Sequence, residues 1–444
     1  MADISASGTD IQIATDASFH TCLVDESREF CGSRFFNQAE LPYGVDLYAR
    51  VRHKHTQTGV SNWSKTIGFQ LVVPGDIIGI CLDNSGTRGV FYWIDALGNR
   101  VSTFDYLVHP IFDGITMASV DLRSPVIMTK IPLFFVKTAA SGPVGTFAAG
   151  KKCWWISNFA SEGYHPAACF KRTMQKSADG KYIISPHCYI GTYLGHYEYV
   201  GDVETIGSQP GSMAATYAMK DNFKAYISSR DDASIGLTGF RMFDIWDMGA
   251  LRLLMLIAKA NANVQSAFGD NSAGESYPRT GSTGARLIFK GTTADPQVSI
   301  EDLWRCYWYF VDLISINKGA VTLTNPMDLK SPISFGTASS TRYKQTTTSG
   351  WLKDVLDCPF VIGDDTHDLM ELFLPKTTNS SESRGTFFDY HDASTISSTT
   401  DVVVGGYATS TRSIPTSGSG LFRTQFFSTL YTEALVEGVR ICKN

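Results

Sequence analysis

The stretch from Asp244 to Phe268, DIWDMGALRLLMLIAKANANVQSAF, constrains the fold of this chain more than any other. Its apolar side chains cover most of a helical circumference, so a helix here needs other structure on nearly every side. Asp244 is placed to cap the helix, Asp247 adds negative charge to the first turn, and Gly269 is a natural stop. Asp247 and Arg252 interrupt the apolar run well before the roughly eighteen residues of a membrane span. We therefore predict the central buried helix of a large C-terminal domain.

Composition favours a β-rich, loop-rich protein. The 444 residues exceed what one hydrophobic core usually holds, so we expect two or three domains. Charged residues make up only 18%, while Gly, Ser, Thr and aromatic residues are plentiful. The net charge of −5 provides no basic footprint for nucleic acid or for an anionic membrane surface. The nine cysteines include no CxxC pair, and we predict mostly reduced, buried thiols of a protein made in a cytosol.

Residues 10 to 73 are predicted to form short strands. In DLYARVRHKHTQTGVSNWSKTIGFQL the apolar alternation runs to His53, turns at Thr58-Gly59 and resumes at Trp63, which is typical of a hairpin. YARVRHKHTQTGVSNWS resembles the late strands of a fibronectin type III-like module, in a form common in bacteriophage tail proteins. The resemblance implies a β-sandwich at residues 1–73, acting as a spacer or, alternatively, in direct binding.

Residues 74–148 are predicted to form a β-rich connecting domain. GDIIGICLD and GVFYWID flank the turn NSGTRG as in a hairpin, and Pro132 splits PVIMTKIPLFFVKTA into two further strands. The Gly- and Ala-rich segment ASGPVGTFAAGKK is interpreted as a hinge, although Phe147 indicates partial packing. The largest unit, 149–444, carries a first amphipathic helix at Ser212–Arg230 and the aromatic-rich strand candidates CWWISN, ACFKRTM and KYIISPHCYIGTYLGHYEYV.

Three separated stretches of residues 149–444 together resemble the C-type-lectin-like fold of the formylglycine-generating-enzyme type, which phage tropism proteins and many tail-fibre tips use. The first is the helix, ALRLLMLIAKANANVQS. The second, SIEDLWRCYWYFVDLISI, is similar to the family's GNxWEWVDG core strand at Trp304, Trp308, Phe310, Val311 and Asp312. The third, from Val404 to Cys442, is similar to the closing GGxW…G…GLF…GFRL pattern at Gly405, Gly406, Tyr407, Gly420, Leu421, Phe422, Gly438, Val439 and Arg440.

The resemblance implies a mainly β protein, in which an N-terminal β-sandwich module and a connecting domain precede an α+β, C-type-lectin-like domain with two helices. The chain departs from the family at the second motif, where Asp302 and Leu303 stand near the missing Gly and Asn. The relatives that oxidise sulfatase cysteines need two closely spaced reactive cysteines, whereas Cys358 and Cys442 are far apart. The resemblance therefore implies a binding fold without the enzyme parts, and we predict that the protein is not an enzyme and has no cofactor and no metal-ligating residues.

Loops are the parts of such a fold that carry recognition, because their side chains can vary while the core is kept. FFDYHDASTISSTTD and GGYATSTRSIPTSGSG are rich in Tyr, Ser, Thr, Gly and Arg, which combine rigid aromatic contact area with adaptable hydroxyl groups. The predicted ligand-binding residues are Tyr390, Tyr407, Thr409, Arg412 and Phe422. Alternatively, these runs are merely solvated loops, and Phe422 belongs to the core.

Three further groups have a chemical interpretation beside a structural one. GDDTHD forms a polar turn before LMELFLP or, if more carboxylates converge, offers a hard cation the side chains of Asp364, Asp365, His367 and Asp368. Paired carboxylates for glycoside cleavage would have to come from Asp95, Asp105 and Asp113. His187 and His196 resemble metal or ligand-binding histidines, but two histidines among aromatic residues are more typical of a packed, hydrogen-bonded core.

These features predict a bacteriophage virion protein, a tail-fibre or receptor-binding subunit made in the host cytoplasm. Its lectin-like loops would bind a host cell-surface receptor, either a glycan or a protein. We expect a homo-oligomer, a trimer, whose multivalency strengthens weak single contacts, with other virion proteins as partners and with neither nucleic acid nor a membrane span. Two alternatives stay open: a structural component of capsid, head fibre or baseplate with the lectin-like domain as a rigid module, and a polysaccharide depolymerase.

Overall fold

The structure, a computed structural model, is mainly β, which confirms the predicted class. It divides into two compact units, Met1–Asp76 and Ile77–Asn444. The residues that it describes are 8–28, 46–55, 59–70, 77–172, 184–216, 218–263, 267, 279–281, 286–291, 296–301, 303, 308–381, 385–387, 389–391, 393, 399–404, 422, 425–428 and 437–443.

The first unit contains, in its described residues, one five-stranded antiparallel sheet. Its strands are β1 (Gly8–Ala14), β2 (Cys22–Arg28), β3 (Asp46–His55), β4 (Gly59–Val60) and β5 (Ile67–Gln70). β3 lies between β1 and β4, and its first half also pairs with β5. Ile13, Val24 and Leu47 form a small buried cluster. The predicted hairpin is confirmed, because β3 and β4 pair across the turn. The fibronectin type III-like sandwich stays a prediction.

The second unit contains three α-helices and many short strands in its described residues. The helices are α1 (Pro110–Asp113), α2 (Lys220–Ser228) and α3 (Ile245–Lys259). The strands are β6 (Ile77–Asp83), β7 (Val90–Ile94), β8 (Thr116–Ser119), β9 (Ile127–Pro132), β10 (Phe135–Ala139), β11 (Lys152–Ser157), β12 (His165–Pro166), β13 (His187–Gly191), β14 (His196–Val200), β15 (Val203–Gly207), β16 (Phe240–Met242), β17 (Arg286–Gly291), β18 (Pro296–Glu301), β19 (Trp308–Asn317), β20 (Ala320–Asn325), β21 (Asp328–Pro332), β22 (Gly350–Val355), β23 (Pro359–Ile362), β24 (Asp365–Asp368), β25 (Pro375–Asn379), β26 (Tyr390–His391), β27 (Thr399–Val404), β28 (Gln425–Ser428), β29 (Glu437–Gly438) and β30 (Ile441–Lys443).

The larger sheets of this unit join strands that are distant in sequence. Their strand orders are β12-β10-β11-β6-β7, β16-β30-β13-β9-β8 and β21-β20-β19-β27-β28, and β29 joins β19 in parallel. Smaller sheets are β14-β15, β17-β18, β25-β22-β26 and β23-β24. The predicted hairpin around NSGTRG is confirmed, because β6 pairs with β7. Such long-range pairing brings residues 441–443 into a sheet with much earlier strands, since β30 lies between β16 and β13.

The structure differs from the predicted division at residues 148 and 149. β10 pairs with β11, and β9 pairs with β13, so the predicted connecting domain shares both of its sheets with later strands. The Gly- and Ala-rich segment connects β10 to β11 and is not a hinge. Its backbone is fixed by a hydrogen bond from Gly142 N–H to the carbonyl of Lys151 at 2.9 Å. Phe147 also packs edge-on against Tyr92, with 5.4 Å between ring centroids.

α3 is the buried central helix that the sequence predicts. Every residue of it except Lys259 is buried. Asp244 accepts hydrogen bonds from the N–H groups of Trp246 and Asp247, and the Asp247 side chain accepts one in return from the Asp244 N–H. This reciprocal capping box fixes the first turn of the helix. Within the described residues, no helix is long and apolar enough to cross a bilayer.

Two predicted helix boundaries differ in the structure. α3 ends at Lys259 rather than at Gly269, because Ala260 adopts a left-handed φ of 44° and ends the helical hydrogen bonding. α2 spans Lys220–Ser228 and not Ser212–Arg230, because the backbone of Ser212 exchanges hydrogen bonds with Thr280 instead.

The strand predicted for ACFKRTM is wrong, because Ala168–Phe170 forms a short 3-10 helix whose three residues are buried.

The described cysteines are free thiols, as predicted. All of them are buried except Cys22, which is half-buried: Cys22, Cys81, Cys153, Cys169, Cys188, Cys358 and Cys442. The sulfur atoms of Cys169 and Cys188 lie 4.0 Å apart.

Candidate functional site

The predicted recognition surface is described only in part. Tyr407, Thr409 and Arg412 lie outside the described residues, and their roles stay predictions. Tyr390 lies on β26, which pairs with β22, and its side chain is half-buried. Its ring packs edge-on against Trp351, with 5.7 Å between ring centroids. This contact holds the ring in one orientation while part of it remains accessible.

Phe422, the fifth predicted ligand-binding residue, is a core residue. Its side chain is 1% exposed and packs against Phe373 and Phe387, with 5.5 and 5.1 Å between ring centroids. The Arg252 guanidinium, from α3, lies 5.6 Å from the ring centroid. The Phe422 N–H donates to the buried Asp389 carboxylate at 2.6 Å. Burial of this large apolar ring outweighs any exposed placement, so Phe422 cannot contact a receptor in this structure.

Two described residues flank the predicted loop GGYATSTRSIPTSGSG in the sequence, Val404 and Phe422. Val404 is the last residue of β27, which lies between β19 and β28 in the third large sheet. At the other end, the aromatic cluster and the bond to Asp389 fix Phe422. Asp389 directly precedes Tyr390, so the residue that binds the Phe422 N–H is the sequence neighbour of a partly accessible aromatic ring.

A second constellation joins four buried polar side chains from distant parts of the chain. His165 lies on β12, and Lys171 directly follows the 3-10 helix Ala168–Phe170. His367 lies on β24, the second strand of the β23-β24 hairpin. Of the polar turn predicted for GDDTHD, Gly363 and Asp364 form the turn, and the remaining residues form β24. Glu371 lies in the 3-10 helix that follows, and its carboxylate caps the N–H of Asp368 at 3.1 Å. This local cap orients the carboxylate toward both histidines.

The four side chains form one hydrogen-bonded network. The two carboxylate oxygens of Glu371 lie 2.9 Å from Nε2 of His165 and 3.0 Å from Nδ1 of His367. The other ring nitrogen of His367 accepts from the Lys171 ammonium at 2.8 Å. Lys171 also donates to Asp365 at 2.7 Å. The buried carboxylate and the buried ammonium thus both have hydrogen-bond partners, the condition under which a core tolerates charge.

The environment shifts the pKa values of Glu371, His367 and Lys171. Burial by itself would raise the pKa of Glu371, but its interactions with His367 and His165 hold the pKa below its ordinary value. Burial lowers the pKa of His367 to about 4, although Glu371 opposes this shift. Burial also lowers the pKa of Lys171, and Asp365 opposes that shift. At neutral pH, Glu371 is therefore ionised and His367 is uncharged.

His165, His367 and Glu371 are also the residue types that bind a metal ion, and their ligand atoms lie within 4.8 Å of one another. The position of Lys171 argues against that use. Because the Lys171 ammonium donates to Nε2 of His367, the hydrogen-bond partners assign the His367 proton to Nδ1, the atom that a metal at this point would need. A cation would also lie close to the ammonium charge. The arrangement is chemically a core hydrogen-bond network.

Changing Glu371 to Gln tests this interpretation of the network. Glutamine accepts from one histidine N–H but turns an NH₂ donor toward the other, so we expect a loss of about 2–3 kcal/mol in the free energy of unfolding at pH 7. Because the folded pKa of Glu371 lies below its ordinary value of 4.5, its stabilisation is present above that pH and is lost as the pH falls below it. Urea denaturation of parent and variant should therefore show a gap that narrows at acidic pH.

A matched control for that measurement is Glu162→Gln, because Glu162 is exposed. We expect the control to change the free energy of unfolding by about 0.5 kcal/mol or less at every pH. A Glu371→Gln variant as stable as the control at pH 7 would contradict the network.

The acidic candidates for glycoside cleavage have separate structural roles. Asp95 accepts from the N–H groups of Leu97 and Asn99 at 2.9 and 2.8 Å and so closes a turn. Asp105 caps a 3-10 helix. Asp113 is largely exposed and lies 3.3 Å from the Lys290 ammonium. Among the contacts that the structure describes, none pairs one of these carboxylates with another.

The two ligand-like histidines also differ in their surroundings. His196 is buried, lies 3.4 Å from the Glu198 carboxylate, and has its pKa lowered by burial to about 4. His187 is half-buried, with its ring 6.3 Å from that of Tyr189. These surroundings agree with the structural interpretation of His196 in particular.

No protein-family model matches this chain, and no curated protein matches it. The resemblance to the lectin-like fold therefore depends on the residues themselves.

Proposed function

We propose that the protein is a bacteriophage virion protein, a tail-fibre or receptor-binding subunit that attaches to the host cell surface through loops of a lectin-like C-terminal domain. The proposed contact residues are Tyr390, Tyr407, Thr409 and Arg412. Recognition is non-covalent, and copies of the chain in an oligomer add their weak contacts together.

The observation that carries this proposal is the setting of Tyr390, a predicted contact residue whose half-buried ring packs against Trp351. Asp389, its neighbour in sequence, accepts from the N–H of buried Phe422, so the accessible part of the ring is supported by the core. A ring held in one orientation lowers the entropic cost of binding, because fewer conformations are lost when a ligand is contacted. Loops on a rigid scaffold are the usual place for binding side chains.

A second observation supports the lectin-like part of the proposal. The second and third of the stretches that resemble the family both hydrogen-bond to Phe243, the residue before the N-cap of α3, which is the helix that contains the first stretch. The N–H of Phe243 donates to the carbonyl of Arg440 at 2.9 Å, and its carbonyl accepts from the N–H of Asp312 at 3.0 Å. In addition, the family pattern VDG has glycine where this chain has Leu313, and Leu313 adopts a φ of 60°, a conformation that favours glycine.

Immunogold labelling of intact phage particles tests where the protein lies. Antibody against the purified protein should label the tail or its fibres. Label confined to the capsid would support the alternative of a structural decoration with a rigid lectin-like module, and unlabelled particles would contradict a virion protein. Incubating host envelope with the purified protein tests the third possibility, a polysaccharide depolymerase. A depolymerase would release reducing ends from the envelope, whereas a binding protein would not.

A further inference from the structure

A groove of about 470 Å³ lies between α2, β16 and the middle of β19. One face of α2 lines it with Lys220, Lys224 and Ser228, which recur at intervals of four residues and so lie on the same side of the helix. The opposite wall contains Leu313 and Ser315 of β19. None of the described groove residues belongs to the predicted recognition surface.

The wall of the groove is formed by an irregularity in β19. The register of β19 against β27 jumps from Val311 to Ser315, so the intervening residues bulge out of the sheet. Within this bulge, Leu313 holds a left-handed φ of 60°. A non-glycine residue in this region costs about 1 kcal/mol or more, and such strain is concentrated at functional sites. Bulges also re-aim side chains, and here Asp312 is directed at α2.

Two lysines of the groove approach the same carboxylate. Oδ1 of Asp312 lies 2.8 Å from the Lys224 ammonium and 3.5 Å from that of Lys220, so both lysines approach one carboxylate oxygen. Arg241 also lines the groove, but it pairs with Asp244 and Asp247 at the N-terminal end of α3.

The accessible cation of the groove is Lys224. Its side chain is 39% exposed, against 17% for Asp312, so the ammonium reaches solvent while its carboxylate partner stays largely covered. Ser228, Ser315 and Thr324, which carry hydroxyl groups, line the same groove, and Leu329 adds a side chain that is 66% exposed. A cation, hydroxyl groups and a small apolar surface are complementary to a charged sugar.

We propose that this groove binds an acidic saccharide, with Lys224 at its carboxylate or phosphate group and the serine and threonine hydroxyls at its hydroxyl groups. This site is separate from the loop surface of the proposed function. It stands whether or not residues 405–421 bind a receptor, since it requires neither Tyr407 nor Arg412.

Titration calorimetry or saturation-transfer NMR on the full chain tests the site with simple probes. D-glucuronate should bind, D-glucose should not, and added NaCl should weaken the binding as it screens the ammonium charge. Inorganic phosphate and glucose 6-phosphate form a second arm: stronger binding of these two than of glucuronate would identify a phosphate-bearing saccharide. Equal binding of glucose and glucuronate, or no binding of any anionic probe, would overturn the proposal.

Variants at two positions give effects of opposite sign. Lys224→Gln should weaken glucuronate binding about fivefold or more through loss of a charge-assisted hydrogen bond, whereas Lys224→Arg should retain most of it. Asp312→Asn should tighten binding, because it removes the carboxylate that competes with the ligand. Lys353→Gln, at an exposed lysine on β22, is the control and should bind like the parent. If Lys224→Gln keeps the parental melting temperature and the parental affinity, Lys224 does not hold the ligand; if Asp312→Asn does not fold, the lysine variants decide alone.

Discussion

Replacing Leu254 by Asp is expected to destabilise the unit Ile77–Asn444 by about 5 kcal/mol or more. Leu254 is fully buried in the middle of α3, and the residues around it in the helix are buried as well. A carboxylate there has no partner, so it must be buried charged or take up a proton, and both cost free energy. The lost leucine contacts add a cavity term. A loss of this size approaches the whole stability of many domains.

Thermal unfolding of the purified protein measures the effect. The melting temperature of Leu254→Asp should fall by about 10 °C or more, or the protein should fail to fold. Leu254→Met is the matched control, because it conserves volume and should cost less than about 1.5 kcal/mol. A Leu254→Asp variant that melts within a few degrees of the parent would show that α3 is not enclosed.

The sequence predicts the start of α3 better than its end, and the reason is physical. The N-terminus depends on local chemistry, the side chains of Asp244 and Asp247, which the sequence displays directly. The C-terminus has no glycine at the position where the helix stops. There, the Asn261 side chain accepts from the N–H of Asn263 at 2.8 Å, and this local alternative competes with helical hydrogen bonding.

Features that depend on contacts between distant parts of the chain could not be predicted from the sequence. Ser212 lies outside α2, in hydrogen bonds with Thr280 that no local pattern displays. The buried network could not be predicted for the same reason. The GDDTHD segment made His367 a candidate, but the other members His165 and Lys171 lie about two hundred residues earlier in the sequence. Only the fold brings such residues together. The hairpins, in contrast, could be predicted because alternation and turn residues are local.

The loop surface was predicted from composition, and composition does not distinguish an exposed aromatic from a buried one. Tyr390 is half-buried and Phe422 is fully buried, although both lie in the same kind of polar, Ser- and Thr-rich surroundings. The Phe422 ring packs among other aromatic rings, which compensates for the polar sequence around it. The structure thus assigns Phe422 to the core, whereas the proposal assigns receptor contact to Tyr390 and to the other predicted loop residues.

Changing Tyr407, Thr409 and Arg412 together to Ala is expected to weaken adsorption to host cells at least tenfold, a loss of about 1.4 kcal/mol or more. Tyrosine brings a large flat contact face at small entropic cost, and arginine brings a rigid fork of donors, so both residue types are frequent in binding hot spots. If these side chains are exposed as predicted, their removal should change the free energy of unfolding by about 0.5 kcal/mol per residue or less.

The central claim, that this segment binds the receptor, is tested most directly by the adsorption rate of phage particles that carry the triple variant. Particles with Lys353→Gln serve as the control, because Lys353 is exposed on β22 and outside the proposed surface. A thermal melt of the purified variant accompanies the assay. The proposal predicts adsorption reduced at least tenfold with an unchanged melting temperature. Parental adsorption by particles carrying the triple variant would contradict it, and lost adsorption with a collapsed melt would show that the three residues belong to the core.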